Sequence, residues 1–199
     1  MGTKRCVVCG APVRDSLCEA CRSAISHDHG FISTMDFVDE VVIMGTYTGL
    51  LKEMVLAFKF KDKTYYKEPL ADLMVFTLFQ SGLKRDWQAI TYVPMTARDE
   101  RQRGYNQSRL LAEAISELTG LPLYHGLTKA VPTKAQVDLS AAERQGNLHG
   151  AFRAALPPKK LLLVDDVLTT GATIEEVAKT LKAQGTKKVT ALLAATPHV

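Results

Sequence analysis

The sequence lacks cysteine after position 21 and lacks any long apolar run. Asp72 and Asp165 interrupt the two most apolar stretches, so neither approaches the roughly 20 apolar residues that a membrane helix requires. The first residues, MGTKRC, lack the apolar core of a secretory signal. We therefore expect no membrane insertion and, by default, a cytoplasmic location.

The charge balance is only weakly basic, with 25 lysines and arginines against 21 acidic residues. Such an excess permits contact with phosphates without requiring a nucleic acid. A chain of 199 residues, 46% of them hydrophobic, is able to bury a sizeable core. We expect one main domain over residues 35–199 and a small module over residues 1–30.

The four cysteines form two Cys-x2-Cys pairs. Cys6 and Cys9 make the first pair, and Cys18 and Cys21 make the second. Two such pairs place four thiolates within reach of one tetrahedral ion, as in structural zinc sites. The segment has too few large apolar residues to fold alone, so a metal would supply folding free energy. Two disulfides or four unpaired thiols are the alternatives, and a reducing cytosol favours zinc over disulfides.

A short polar stretch, residues 26–30, is expected to link this module to the larger domain. Its histidines, His27 and His29, exceed the four-ligand count and are expected to be solvated. Beyond the linker, apolar residues alternate between strand and helix periodicity. Strands are predicted over 41–47, 89–94, 121–125, 160–164 and 189–195, and helices around 51–58, 68–80, 110–118 and 174–181.

Two predicted loops separate these elements. An arginine-bearing loop is expected to follow Pro94 and run to about residue 105, and a long irregular loop is expected over 126–150. Strands that alternate with helices predict an α/β fold with an open, mainly parallel sheet covered by helices on both faces.

The segment LLLVDDVLTTGAT, residues 161–173, predicts a site for a phosphorylated sugar. Four apolar residues favour a central strand, and Asp165 and Asp166 follow where ligands bind in such sheets. The next helix begins with backbone amides and hydroxyls, and Gly171 lets a phosphate approach the backbone. Taken alone, the two aspartates could simply lie in a turn, and Thr170 could simply cap a helix. The fixed order of strand, two acids and threonine-glycine turn favours a site for a ribose 5-phosphate. The predicted phosphate contacts are Thr169, Thr170, Gly171, Ala172 and Thr173.

The arginine-bearing loop supplies candidate ligands for a second anionic group. Arg98, Arg101 and Arg103 are suited to bidentate phosphate contact. Such donors can neutralise the negative charge of a phosphate-bearing ligand. The alternative is a solvated loop, because Asp99 and Glu100 dilute the charge. We expect Arg101 and Arg103 to act in catalysis with the two aspartates, and Arg98 to bind the ligand.

Residues 161–173 resemble the signature of the phosphoribosyltransferases that use phosphoribosyl diphosphate. The resemblance implies that Asp165 and Asp166 hold the ribose 2- and 3-hydroxyls, that residues 169–173 hold the 5-phosphate, and that Mg²⁺ accompanies the ligand. Some purine-salvage relatives carry an acid at the position of Thr169, where it serves the incoming base. Threonine is no general base at neutral pH, so binding is better supported than catalysis.

The wider pattern resembles competence proteins of the ComF (ComFC) type. The motifs that carry it, in order, are the two cysteine pairs, VPM at 93–95, RGYNQ at 103–107, Arg144-x2-Asn147-x2-Gly150-Ala151-Phe152 and the signature at 161–173. The family more often has phenylalanine at the position of Tyr105. The resemblance implies a zinc module on a type I phosphoribosyltransferase-like domain, linked to natural transformation and uptake of single-stranded DNA.

Two functions remain open at this stage. One is an enzyme that transfers ribose 5-phosphate to an unknown acceptor. The other is a sensor of phosphoribosyl diphosphate that binds single-stranded DNA or a helicase-like partner in DNA uptake. Basic grooves with aromatic platforms suit single strands, although lysines beside an amphipathic helix usually form its solvated face. The candidate surface consists of Lys52, Lys59, Lys61, Lys63 and Lys67 with Phe58, Phe60, Tyr65 and Tyr66. A transcriptional regulator is a weaker third possibility, since no helix-turn-helix segment is evident.

Overall fold

A computed structural model describes residues 4–25, 35–130 and 150–197. The predicted linker with His27 and His29 lies outside these ranges, as do Arg144, Asn147 and most of the long loop predicted over 126–150. The boundary between the two predicted domains therefore stays a prediction. Within the described ranges, no helix has the length and apolar character needed to cross a membrane.

Strands and helices alternate along the larger part of the chain. The strands are β1 (Lys4–Arg5), β2 (Pro12–Val13), β3 (Glu40–Thr46), β4 (Ala89–Tyr92), β5 (Leu127–Lys129), β6 (Phe152–Ala154), β7 (Lys160–Val167) and β8 (Lys188–Thr196). The helices are α1 (Glu19–Ser23), α2 (Gly49–Phe60), α3 (Lys67–Gln80), α4 (Ala97–Arg103), α5 (Gln107–Thr119) and α6 (Ala172–Ala183). A short 3-10 helix, Thr64–Tyr66, precedes α3.

The centre of the fold is a parallel sheet with the strand order β3-β8-β7-β4. The predicted strands at 41–47, 89–94, 160–164 and 189–195 are all present in it. The strand predicted over 121–125 is reduced to one parallel bridge, between Leu123 and Ile90 at the outer side of β4.

Both faces of the sheet are buried, which explains why its strands are apolar almost throughout. In β7, Leu162 and Val164 belong to a core that contains residues of α2, α3 and α5. Leu161 and Leu163 belong to a second core, formed with α6 and the β5–β6 hairpin. The predicted α/β fold, with helices on both faces of an open parallel sheet, is confirmed.

The N-terminal cysteine module packs against the face that carries α2 and α3. Cys6, Leu17 and Cys21 are buried in the same core as residues of these helices. The hydroxyl of Ser16 also lies 3.5 Å from a carboxylate oxygen of Asp72 on α3. Since the module contributes to a shared core, its own folding contributes to the stability of the larger domain.

The prediction of an arginine-bearing loop from Pro94 to about residue 105 is wrong, because that segment contains α4. Thr96 caps the helix by accepting a hydrogen bond from the Asp99 backbone N–H at 3.1 Å, and Gly104 ends it with φ of 88°. The helix buries no residue, so it leaves no apolar periodicity in the sequence. A second predicted loop is also partly structured, since β5 occupies the start of the long loop predicted over 126–150 and pairs with β6.

Candidate functional site

A cluster of polar side chains, Lys59, Ser108, Asp165 and Asp166, lies at the carboxyl end of the sheet, where β4, β7 and β8 end. β7 continues past the predicted boundary, because Asp165 pairs with Leu193 and Val167 pairs with Ala195 of β8. Asp165 and Asp166 therefore lie within the strand, held by its ladder, and not in the turn that follows. This backbone is rigid, so it positions both carboxylates for a ligand.

Asp166 forms an ion pair with Lys59 of α2. The Lys59 Nζ atom lies 2.9 Å from Oδ2 and 3.2 Å from Oδ1 of Asp166. The Val167 backbone N–H donates to the same Oδ1 at 2.8 Å. Burial opposes the charged form of Lys59, but Asp166, and then Asp165, raise its pKa above the ordinary value. The lysine is therefore charged at neutral pH.

Asp165 has no such cation of its own among its described contacts. Its Oδ1 accepts hydrogen bonds from the Ser108 hydroxyl at 2.5 Å and from the Asp166 backbone N–H at 2.9 Å. Burial, and then the neighbouring Asp166 carboxylate, raises the pKa of Asp165 to about 7, while the Ser108 hydrogen bond opposes the rise. Two adjacent carboxylates thus share one lysine, which leaves the pair ready for a ligand that brings hydroxyl donors or positive charge.

The RGYNQ motif positions α5 and α2 around this pair. Asn106 caps α5 by accepting from the Arg109 N–H at 3.1 Å, and it donates to the Val93 carbonyl oxygen at 3.1 Å. The cap thereby fixes the first turn of α5, which contains Ser108, beside the end of β4. The Tyr105 hydroxyl donates to the Phe58 carbonyl oxygen near the end of α2.

The loop after β7 leads into the N-terminus of α6. Gly171 precedes this helix with φ of 79°, a left-handed conformation that favours glycine. The N-cap residue Gly171 has no side chain to cap α6, and the Ala172 backbone N–H lies 3.5 Å from the Thr170 hydroxyl oxygen. The first amides of a helix have no partners within the helix itself. Thr169 and Thr170 are exposed, and Ala172 and Thr173 are half-buried. Amides, hydroxyls and the helix dipole make this turn suitable for an anion, and binding of a phosphate by residues 169–173 stays a prediction.

The three predicted arginines do not share one environment. Arg98 and Arg101 are exposed on α4. Arg103, the last residue of α4, is half-buried and donates to the Gln107 side-chain oxygen at 3.0 Å. Its guanidinium lies 5.5 Å from the centre of the Phe60 ring. The positive charge of Arg103 is also close enough to oppose part of the rise in the Lys59 pKa.

Two residues of the cluster, Lys59 and Ser108, are absent from the predicted sugar-phosphate site. Lys59 is predicted above as part of a DNA-binding surface, yet it lies on the buried stripe of α2, eight residues after Leu51. Ser108 lies on the buried stripe of α5, three residues before Leu111. A polar residue on an otherwise apolar stripe is the signal that could have identified both.

The remaining basic and aromatic surface is also smaller than predicted. Phe58 and Tyr66 are buried, whereas Phe60 is 64% and Tyr65 is 45% exposed. The exposed lysines near these two rings in sequence are Lys52, Lys61 and Lys63, and Lys67 is half-buried.

The four cysteines come together as predicted. Their sulfur atoms all lie within 4.8 Å of one another, and those of Cys9 and Cys18 are 3.6 Å apart. A tetrahedral zinc ion with bonds of about 2.3 Å requires sulfur separations of about 3.8 Å, which this cluster can provide. Burial opposes ionisation of Cys6, but hydrogen bonds from backbone N–H groups, first that of Cys9, lower its pKa to about 6. All four are free thiols, so the cluster is able to hold one metal ion.

Known proteins resemble this chain in one matched domain and over most of its length. Residues 127–198, which include the aspartate pair and α6, match the phosphoribosyl transferase domain family. Competence protein F of Haemophilus influenzae is 34% identical, over 76% of this chain and 70% of that protein. DNA utilization protein YhgH of Salmonella typhimurium is 31% identical, over 92% of this chain and 86% of that protein. Competence protein ComFC of Streptococcus pneumoniae is 30% identical, over 72% of this chain and 62% of that protein. The chain therefore belongs to the ComF/ComFC family of competence and DNA utilization proteins and contains a phosphoribosyltransferase domain.

Proposed function

We propose that this protein binds phosphoribosyl diphosphate with magnesium at the carboxyl end of its sheet and acts in natural competence or DNA utilization. The observation that carries the proposal is the continuous segment from Asp165 to Thr173. Two acids held in β7 are followed by a glycine turn and the N-terminus of α6. Acids suit a diol and the turn suits a phosphate, so one segment can hold both parts of a ribose 5-phosphate.

Each group has a separate role in this proposal. Asp165 and Asp166 accept hydrogen bonds from the ribose 2- and 3-hydroxyls. Arg103, which lies beside the cluster, and Arg101 stabilise the diphosphate as it leaves, and Arg98 contributes to its binding. Residues 169–173 hold the 5-phosphate.

Magnesium fits the donor set as an ion shared with the ligand. Apart from the cysteines, the described residues contain no group of three or more potential metal-binding side chains. Mg²⁺ commonly uses one or two carboxylates together with substrate phosphates, and the aspartate pair can supply the carboxylate. When bound, the ion would neutralise charge that develops on the diphosphate.

The identity of the acceptor decides between an enzyme and a sensor. Thr169 is exposed and cannot take a proton from an acceptor at neutral pH. Transfer of ribose 5-phosphate therefore requires an acceptor that needs no base at this position. Diphosphate release should be measured with a panel of bases and amines. Release with one of them identifies an enzyme, and silence across the panel favours the sensor.

Thermal unfolding tests the site itself. Phosphoribosyl diphosphate with magnesium should raise the melting temperature of the wild-type protein, since the ligand binds the folded state. Asp165→Ala and Asp166→Ala should abolish the shift, whereas Glu117→Ala, at an exposed position on α5, should retain it. No shift in the wild-type protein contradicts both the enzyme and the sensor.

The cysteine cluster is proposed to hold a structural zinc ion. Because Cys6 and Cys21 are buried in the core shared with the larger domain, removal of zinc should lower the melting temperature of the whole protein. Elemental analysis should find about one zinc per chain. Purified protein that contains no zinc and resists chelators would refute the proposal.

A second candidate function is binding of single-stranded DNA or of a DNA-uptake partner. Phe60 and Tyr65 are exposed beside Lys61 and Lys63, and bases stack on exposed rings. Affinity for a single-stranded oligonucleotide should fall with salt and with Phe60→Ala. Phe76→Ala is the matched control, because Phe76 is 52% exposed on α3. Equal losses in both variants contradict this surface. Either function accords with the cytoplasmic location that we propose for the protein.

A further inference from the structure

Lys59 is a lysine on the buried side of its helix. α2 buries Leu51, Met54, Val55 and Phe58, and Lys59 continues the same stripe. Removal of an ammonium from water is unfavourable unless the group is paired. Lys59 meets this condition through Asp166, so the chain keeps a paired cation on an otherwise apolar stripe at the carboxyl end of the sheet.

The ammonium has hydrogen-bonding capacity beyond Asp166. Its Nζ atom lies 2.9 Å and 3.2 Å from the two oxygens of that carboxylate. An ammonium has three N–H donors, so at least one can serve another acceptor. The Lys59 side chain is 24% exposed, whereas that of Asp166 is 5% exposed. The Lys59 side chain is therefore more open to solvent than the carboxylate with which it pairs.

The two faces of the sheet separate the two anionic ends of the proposed ligand. α6, whose N-terminus is the proposed 5-phosphate site, packs on the face of Leu161 and Leu163. α2 and α5 pack on the opposite face, with Leu162 and Val164. In phosphoribosyl diphosphate, the diol lies between the carbon that carries the diphosphate and the end of the ring that carries the 5-phosphate. With the diol on the aspartate pair and the 5-phosphate at α6, the diphosphate is directed toward α2 and α5.

A second cation lies on this same side. The Arg103 guanidinium is 5.5 Å from the ring of Phe60, the residue after Lys59. The hydrogen bond from Tyr105 to the Phe58 carbonyl oxygen joins the arginine segment to the end of α2. Two neighbouring cations repel each other, and a polyanion that binds between them relieves the repulsion.

We propose that Lys59 binds the diphosphate group of phosphoribosyl diphosphate while it keeps its ion pair with Asp166. The inference rests on the proposed function and makes Lys59 a ligand-binding residue, more than a counter-ion. One ammonium then joins the acid that holds the diol to the group that leaves. This arrangement favours the complete ligand over ribose 5-phosphate, which lacks the diphosphate.

Ligand affinities of Lys59→Met test the proposal. Titration calorimetry is performed with phosphoribosyl diphosphate, inorganic diphosphate and ribose 5-phosphate, each with magnesium. Affinity for the two diphosphate ligands should fall about tenfold or more, as expected for loss of a charge-assisted hydrogen bond. Affinity for ribose 5-phosphate should stay unchanged. Lys52→Met is the matched control, since Lys52 is exposed on the same helix.

Equal loss of affinity for all three ligands would show that Lys59 is a structural counter-ion and would overturn the inference. Full retention of diphosphate affinity would overturn it as well. Lys59→Met also leaves Asp166 without its cation, which could impair folding. In that case Lys59→Met is combined with Asp166→Asn and compared with Asp166→Asn alone in titrations with inorganic diphosphate, which has no diol for Asp166 to hold, and the loss of diphosphate binding should persist. Wild-type protein that binds none of the three ligands contradicts the proposed function itself.

Discussion

Both ends of the parallel sheet contain lysines and carboxylates, but the two ends differ in how many lysines accompany each carboxylate. At the amino end, Asp86 lies 2.6 Å from Lys160 and 3.8 Å from Lys188. Lys188 also lies 2.9 Å from Glu40, so cations and carboxylates alternate there. At the carboxyl end, two adjacent carboxylates share one lysine. Cations therefore accompany each of these carboxylates at the amino end, whereas at the carboxyl end one lysine serves two.

The pKa values of the carboxyls reflect this difference. A hydrogen bond from Lys160 holds the pKa of Asp86 below its ordinary value, so its ionised form stabilises the fold above the unfolded pKa and loses that effect as pH falls. Burial raises the pKa of Asp165 to about 7, so this group costs stability as pH rises from about 4 to about 7. Because ionisation of Asp165 destabilises the fold, the carboxyl end of the sheet is the better candidate for a binding site.

The largest expected effect comes from breaking the charge balance of the amino end. Asp86→Lys places a new cation beside Lys160, Lys188 and Lys84, which lie within 4 Å of the native carboxylate. We expect the melting temperature to fall by roughly 10 °C, while the folded fraction still binds phosphoribosyl diphosphate. Thermal unfolding with and without ligand measures both quantities.

A charge swap is the control for that variant. Asp86→Lys combined with Lys160→Asp restores one opposite pair at the same position and should recover part of the lost stability. If the double variant is no more stable than Asp86→Lys, the ion pair does not explain the stability of this end.

The second prediction concerns the unmatched acid. Asp165→Asn keeps an oxygen that can accept from Ser108 but removes the charge. A pKa rise of about three units costs at most about 4 kcal/mol, and solvent at this half-buried site reduces the gain to about 2 kcal/mol. The melting temperature should therefore rise by about 6 °C at pH 8 and stay unchanged at pH 4, where both side chains are neutral. Ligand binding should be lost.

Asp15→Asn, at an exposed position of the cysteine module, is the control and should leave the melting temperature unchanged at pH 8 and at pH 4. A gain for Asp165→Asn of equal size at both pH values would mean that charge is not its cause.

A smaller effect is expected from a neutral hydrogen bond at the amino end. Trp87 is buried, its Nε1–H donates to the Thr190 hydroxyl at 2.8 Å, and that hydroxyl donates to Glu40 at 2.7 Å. Trp87→Phe removes the first bond and should cost about 1 kcal/mol, or about 3 °C in melting temperature. The ligand-induced shift should be the same as in the wild-type protein. A change in that shift would show that the two ends are coupled.

The contrast between the two ends also explains what the sequence predicts well. Apolar runs such as 161–164 predict central strands because both faces are buried. The acids that follow interrupt an apolar segment, which is why they indicate a candidate site. The sequence does not predict the short helix α4 because that helix buries nothing, and it does not predict the ion pair between Lys59 and Asp166 because the two residues are 107 positions apart. Pairing between distant residues is set by packing, which local periodicity does not encode.

The smallest predicted effect comes from removing the hydroxyl of Ser108, which donates a hydrogen bond to Asp165. Ser108→Ala removes the hydroxyl that donates to Asp165, a bond that favours the ionised carboxylate, so the pKa of Asp165 should rise above about 7. Affinity for phosphoribosyl diphosphate should fall about threefold at pH 7 and recover at pH 9, where Asp165 is ionised in both proteins. Ser116→Ala removes a hydroxyl that donates to the Leu121 carbonyl oxygen near the other end of α5, and it should leave the pH profile unchanged. If the two variants shift the profile equally, Ser108 acts through the stability of α5. If only Ser108→Ala shifts it, ionisation of Asp165 controls binding at the carboxyl end of the sheet.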